Sequence, residues 1–238
     1  MVVLRQRRRA VRFRVFALPG HDRARRVECV AVVNGSRAAS RLLGRSRTDS
    51  FGERMRTSVL SEPFDYDGSQ LTSLFAYHRA GIQGDSVIAW VGACEVGTDS
   101  LVDQEDVKAG TYIRAAEMLH VIAESFGERL ETMVLRQRLF ARLAADLLAE
   151  RSGRPVDVRG DDVFVADRKA SVSIATVSPV SALFHFGLNV NPDGAPVPAI
   201  GLAELGVAAL PFAEALLERY RAECDDVRLA AAKVRWVP

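Results

Sequence analysis

Lysine is scarce in this chain. Of its 32 basic residues only Lys108, Lys169 and Lys233 are lysine, and the remaining 29 are arginine. Cysteine is scarce too. Cys29, Cys94 and Cys224 are an odd, scattered set without a CxxC, which excludes a disulfide framework and reads as reduced thiols in a cytoplasm. No apolar run approaches the ~18 residues that span a bilayer. No phosphate-loop or dinucleotide fingerprint occurs, and no GxSxG elbow. His21, His78, His120 and His185 show no ligand spacing with cysteine or with each other, which argues against zinc.

What is present is ordinary for a soluble globular chain: 48% hydrophobic and 26% charged residues over 238 positions. The net charge of +2 hides an asymmetry. Residues 1–54 hold 14 arginines and four acids, a charge of +10, while residues 55–238 hold 18 basic and 26 acidic residues, a charge of −8. The first segment has little apolar surface to offset chain entropy. It reads as a spurious start or a disordered extension, with Met55 as the native start. A basic arm for RNA and an organelle transit peptide are the alternatives.

From Met55 onward strands and helices mix, with at least one tight antiparallel hairpin, so the expected class is α+β: a largely antiparallel sheet with packed helices in one domain, 55–238. A strand is expected at the start of "RTSVLSEPF" and at Asp85–Gly92. Ser69 should cap a helix through Leu71, Leu74 and Phe75 that stops at Gly81. Asp103 and Gly110 bracket a short helix. "MLHVIAESF" is a strand. A long helix over 128–150 is expected to bury Leu130, Met133, Val134, Leu139, Leu143 and Leu147. Strands at 156–166, 169–177 and 182–191 precede a last helix with Phe212, Leu216 and Tyr220 on one face.

The hairpin around Lys169 draws the functional reading. In "KASVSIATV", alternation puts Lys169, Ser171 and Ser173 on one face and Val172 and Ile174 on the core face. The next strand puts Phe184, Phe186 and Leu188 on the core, with His185, Gly187 and Asn189 opposite. A turn at Ser178-Pro179-Val180 then pairs Ser173 with His185, Ser171 with Gly187, and Lys169 with Asn189. The product is a polar face with one cation and a glycine that lets a ligand approach. Antiparallel sheets often carry a solvated polar face, so an open surface is the competing reading. Arg159, Asp161 and Asp162 form one candidate rim. Asp67, Gly68, Ser69 and Gln70, with the Gly68 and Ser69 amides at a helix N-terminus, form another beside Gln83, Gly84 and Asp85. No paired-carboxylate acid/base site is evident, because Asp161 and Asp162 point to opposite faces.

"YDGSQLTSLFAYHRAGIQGDSVIAWVGACEV", "LVDQEDVKAG", "LRQRLF", "RGDDVFVADRKASVSIATVSPVSALFHFGLNV" and "PVPAIGLAELG" resemble the mainly archaeal family known as domain of unknown function 366, from about Val59 to the C-terminus. That family is similar in fold to biotin and lipoate protein ligases. The resemblance implies that Lys169 stands where those ligases keep an essential lysine, with ATP and Mg²⁺ as cofactors and an adenylate-forming ligase or transferase chemistry on a small molecule. A compact ammonium can touch carboxylate and phosphate oxygens together, which a planar guanidinium does not. The ligases' Asn-Asp step is Asp161-Asp162 here. Their adenylate-holding loop has no counterpart, since unrelated "VDQEDVKAG" and "LHVIAESFG" occupy its place. A non-catalytic binding module on the same fold is therefore the alternative, and an RNA-associated protein using the Arg-rich arm is a third.

Overall fold

A computed structural model describes residues 55–237. The readings on residues 1–54 lie outside the described residues. The elements are β1 (Arg56–Val59), α1 (Phe75–Ala80), β2 (Ser86–Val96), α2 (Gln104–Ala109), β3 (Ile113–Phe126), α3 (Leu130–Ser152), β4 (Asp157–Arg159), β5 (Asp162–Val165), β6 (Arg168–Lys169), β7 (Ser171–Val177), β8 (Ser181–Asn191) and α4 (Ala209–Ala232). Five strands form a sheet in the order β1-β2-β3-β8-β7, and β4-β5-β6 form a small second sheet. Among the pairs of these described strands only β1–β2 is parallel. The class is α+β with a mostly antiparallel sheet, as the alternation of patterns implies.

The two faces of the large sheet bury different chemistry. Leu119, Val121, Phe184, Phe186 and Leu188 join α3 and α4 in the main core, where Phe140 lies 5.1 Å from both the Phe186 and Tyr220 rings. α4 buries Phe212, Leu216 and Tyr220, as its spacing implies. α3 buries only part of the stripe the sequence suggests: Met133 and Leu147 are inside, Leu130 is 44% exposed, and Gln137, Phe140 and Ala144 complete the inner face. Small alanines take part of that face, and it carries one buried polar residue, Gln137.

The other face holds Ile88, Trp90, Met118 and Ile122 of the strands, covered by α1, Tyr66 and loops. α1 is shorter than the sequence suggests. It starts at Phe75, after Leu74 adopts a left-handed φ of 63°. Both oxygens of buried Glu124 accept from the Leu74 amide, at 2.9 and 3.0 Å, and this tertiary contact holds the residue where the helix would otherwise begin earlier. Ser69 caps no helix: its amide and hydroxyl donate to Asp67 Oδ1 in a local turn. α2 follows the sequence closely, with the Asp103 carboxylate accepting from the Glu105 and Asp106 amides and Gly110 closing its end.

The β7–β8 hairpin is displaced by one residue from the expected register. Ser171 pairs with Leu188, Val172 with Gly187, Ser173 with Phe186 and Ile174 with His185. The cause is the turn. Ser178 Oγ accepts from the Val180 and Ser181 amides, and the Ser178 amide donates to the Ser181 carbonyl at 2.7 Å. That closes a two-residue Pro179-Val180 turn where a three-residue turn was expected. Since side chains alternate, the shift exchanges the two faces of β7. Ser171, Ser173 and Ala175 now share the face of Phe184 and Phe186, and Val172 and Ile174 share that of His185.

Candidate functional site

A cavity of about 370 Å³ opens over the second face, at the β7 edge of the sheet. Its floor includes His185, Asn189, Val172 and Ile174. One wall is Asp161, Asp162 and Lys169; another runs from Ser100 to Asp106 and from Thr111 to Arg114; Tyr66 and the 195–199 loop close the rest. Its volume lies at the small end of ligand pockets.

Lys169 reaches this wall through a tight local device. β5 and β6 form a hairpin pairing Phe164 with Lys169 and Val165 with Arg168. Its two turn residues, Ala166 and Asp167, both have positive φ, 49° and 62°, as a primed two-residue turn requires. Beyond it, the Lys169 amide donates to the Pro198 carbonyl and its own carbonyl accepts from the Ile200 amide. Asn189 Nδ2 donates to the same carbonyl at 3.2 Å. The backbone is thus fixed from three sides while the side chain stays 30% exposed at the cavity.

The ammonium is already partnered. Lys169 Nζ lies 2.7 Å from Asp162 Oδ2. Burial pushes the Asp162 carboxyl above its ordinary range, Lys169 opposes that, and Asp161 and Asp106 add to the rise. Asp161 is held differently: Gln137 Nε2 and Ser173 Oγ both donate to its Oδ2 at 2.7 Å. Gln137 therefore belongs to the site from the far side of β7. Sequence reasoning missed it, because a lone glutamine inside a helical stripe carries no signal of its own.

Behind the cavity lies a stack of aromatic rings and histidines. Tyr66 lies flat on His185, with centroids 4.0 Å apart and planes 6° from parallel, and Trp90 stacks on His120 at 5.2 Å. His120 Nδ1 is 3.1 Å from His185 Nε2, and His120 Nε2 is 3.3 Å from the Gly92 carbonyl. Burial lowers the His120 pKa to about 4 and pushes His185 well below the ordinary histidine range. These rings stand diagonally across β3 and β8, where His120 opposes the bare Gly187. A Cβ at Gly187 would lie 2.2 Å from Met118 Sδ. The glycine makes room for neighbouring side chains and is not among the residues that line the cavity.

Of the expected residues, Lys169, Asp161, Asp162, Ser171, Ser173, His185, Asn189 and Gly68 line the cavity. Ser171 is fully buried and its hydroxyl accepts from the Val163 amide, so it serves the fold. Arg159 turns away, pairing with Asp167 at 2.6 Å and lying over the Phe164 ring. Asp67, Ser69 and Gln70 satisfy one another nearby. Gln83 and Gly84 border a separate shallow hollow beside Tyr77 and Phe126, and Asp85 accepts from the Phe126 amide and pairs with Arg228. Among the described residues no three His, Cys, Asp or Glu side chains converge in a way that could hold a metal ion. None of the described helices is long and apolar enough to cross a membrane.

The model of domain of unknown function 366 (DUF366) matches residues 55–235. The chain belongs to that family. An uncharacterized protein of Methanocaldococcus jannaschii is 34% identical over 161 residues, 65% of this chain and 72% of that one. A protein of unknown function from Pyrococcus horikoshi is 39% identical with a TM-score of 0.74, covering 77% of this chain and 100% of that one. A biotin protein ligase of Aquifex aeolicus is similar at 13% identity and a TM-score of 0.46, over 72% of this chain and 68% of the ligase. At that distance the likeness concerns the course of the chain and gives no residue a role.

Proposed function

We propose that this DUF366 protein binds a small molecule bearing a single anionic group, a nucleoside monophosphate ester of the acyl-adenylate type, with Lys169 as the anion's anchor. The observation that carries the reading is the Lys169–Asp162 pair in the wall of a ligand-sized cavity. Asp103, Asp106, Asp161 and Asp162 line that cavity against only Lys169 and Arg114 as cations. Such an excess of carboxylates repels a bare triphosphate far more than a single phosphate group. An anion arriving at Nζ competes with Asp162. Because burial already raises the Asp162 pKa, its protonated form is the one a competing anion favours. Should the site also catalyse acyl transfer, the ammonium would hold carboxylate and phosphate oxygens together, a charge effect typically worth ~3 kcal/mol in such sites.

Thermal shift and calorimetry with AMP, ATP, ATP with Mg²⁺ and a non-hydrolysable acyl-adenylate mimic test this, with wild type beside Lys169→Ala. Stabilisation by AMP and the mimic that the variant loses is the expected outcome. No stabilisation of the wild type by any of them refutes the reading. Pyrophosphate release from ATP in the presence of carboxylic acids separates an enzyme from a binding module.

A further inference from the structure

The buried histidine pair has a hydrogen-bond polarity that can be followed atom by atom. The Gly92 carbonyl can only accept, so His120 Nε2, 3.3 Å away, carries a proton. Burial keeps His120 neutral, and a neutral imidazole has one N–H, so its Nδ1 is a bare acceptor. His185 Nε2, 3.1 Å from that nitrogen, must then donate to it. His185 is neutral by the same desolvation and by the nearness of His120. Its Nδ1 is therefore left with a lone pair and no hydrogen.

No described residue donates to this Nδ1, although His185 is only 3% exposed and lines the cavity. Tyr220 Oη is the sole fully enclosed side-chain polar atom without a partner among the described residues, so His185 Nδ1 is not sealed in. It opens on the cavity. Tyr66, flat against the ring, fixes its orientation. A buried acceptor without a donor costs free energy that a ligand can recover.

We propose that His185 Nδ1 is a second recognition point of the cavity, which selects a ligand presenting a hydroxyl or amino hydrogen there, and that His120 is the positioning residue that keeps the acceptor bare. This deepens the reading of the cavity as a ligand site. Lys169 takes the anionic group. His185 rejects one, because a carboxylate or carbonyl oxygen would face a lone pair. The recognised molecule thus carries both an anion and an uncharged or cationic N–H or O–H donor.

Long-range ¹H–¹⁵N spectra of the ¹⁵N-labelled protein at pH 7 read each tautomer directly, with exposed His78 as the internal reference. The expected result is His120 and His185 both protonated on Nε2. Phenol and aniline should shift the His185 Nδ1 signal and bind at least tenfold more tightly than anisole and N,N-dimethylaniline. A proton on His185 Nδ1, or equal responses to the donors and their methylated counterparts, overturns the proposal. His120→Phe should mix the His185 tautomers and abolish the preference, while His120→Gln, whose amide oxygen accepts the same N–H, should restore both. If His120→Phe does not fold, the wild-type spectra and fragment pairs decide alone. Lys169→Ala should lose AMP binding and keep the fragment preference. Failure of AMP to bind the wild type therefore strikes the anionic-ligand reading and leaves the fragment test intact.

Discussion

Acid should destabilise this fold earlier than its carboxylates alone would. The perturbation is a drop from pH 7.5 to pH 5, and the groups concerned are His120 and His185. Both have folded pKa values below the unfolded value of about 6.5, His120 at about 4 and His185 pushed well down by its burial. Between those limits the unfolded chain binds protons that the native state refuses, so stability rises with pH across the window and is lost as pH falls. An unfolded histidine binds its proton with about 2 kcal/mol at pH 5, and His120, at about 4, does not do so when folded, giving a loss of about 2 kcal/mol from His120, to which His185 adds with the same sign. That is a substantial share of the 5–15 kcal/mol typical of a domain. The titratable neighbours facing the pair are Tyr66, whose hydroxyl burial pushes far up, and Asp65, whose charge opposes the shift of His120 only weakly. Carboxyls with lowered values, Asp67, Glu150, Glu204 and Glu218, act below this window, and the raised Asp162 acts with the opposite sign. Urea unfolding followed by tryptophan fluorescence at pH 7.5, 6 and 5 measures the slope. A change under about 1 kcal/mol in the wild type, or an undiminished slope in the His120→Gln/His185→Gln double variant, refutes the account.

Two substitutions test the backbone that frames the site. Gly92→Ala would place a Cβ 1.9 Å from the Phe64 carbonyl oxygen, a backbone atom that cannot swing aside. We expect a loss of about 3 kcal/mol in urea unfolding, and a loss below 1 kcal/mol would show that the 64–66 segment is not pinned there. Ala166→Asn at the β5–β6 turn relieves a left-handed alanine at φ 49° and should gain about 1 kcal/mol, read as a raised urea midpoint at unchanged slope. A destabilised variant would show that the alanine packs in a way its φ does not reveal.

Elements with local causes were legible in the sequence. Asp103 and Gly110 bracket α2 because a cap and a left-handed stop act within a few residues. The two strands of the β7–β8 hairpin were legible for the same reason. Their register was not, since it hangs on whether Ser178 bonds across two residues or three, and a hydroxyl's choice of amide leaves no periodic trace. Lys169 and Asp162 were legible as candidates because both flank one short hairpin, whereas the bond between them was not read out. Gln137 and the loop walls from Ser100 to Arg114 were invisible, because no local rule brings a helix residue and two distant loops to one strand edge. The pairing of His120 with His185 across 65 positions belongs to the same class.

The shifted register has a consequence that alternation alone would have hidden. Had Ser171 and Ser173 shared the strand face of His185, the floor beside it would be a row of hydroxyls able to donate or accept, indifferent to what a ligand presents. In the observed register Ser173 spends its hydroxyl on Asp161, and Val172 and Ile174 take the floor beside His185. Apolar neighbours exclude water from the imidazole, and that exclusion is what drives its pKa down and keeps its lone pair bare. One hydroxyl at the tip of a turn thus decides which strand face stands beside His185. Through that choice it sets whether the site discriminates between donors and acceptors.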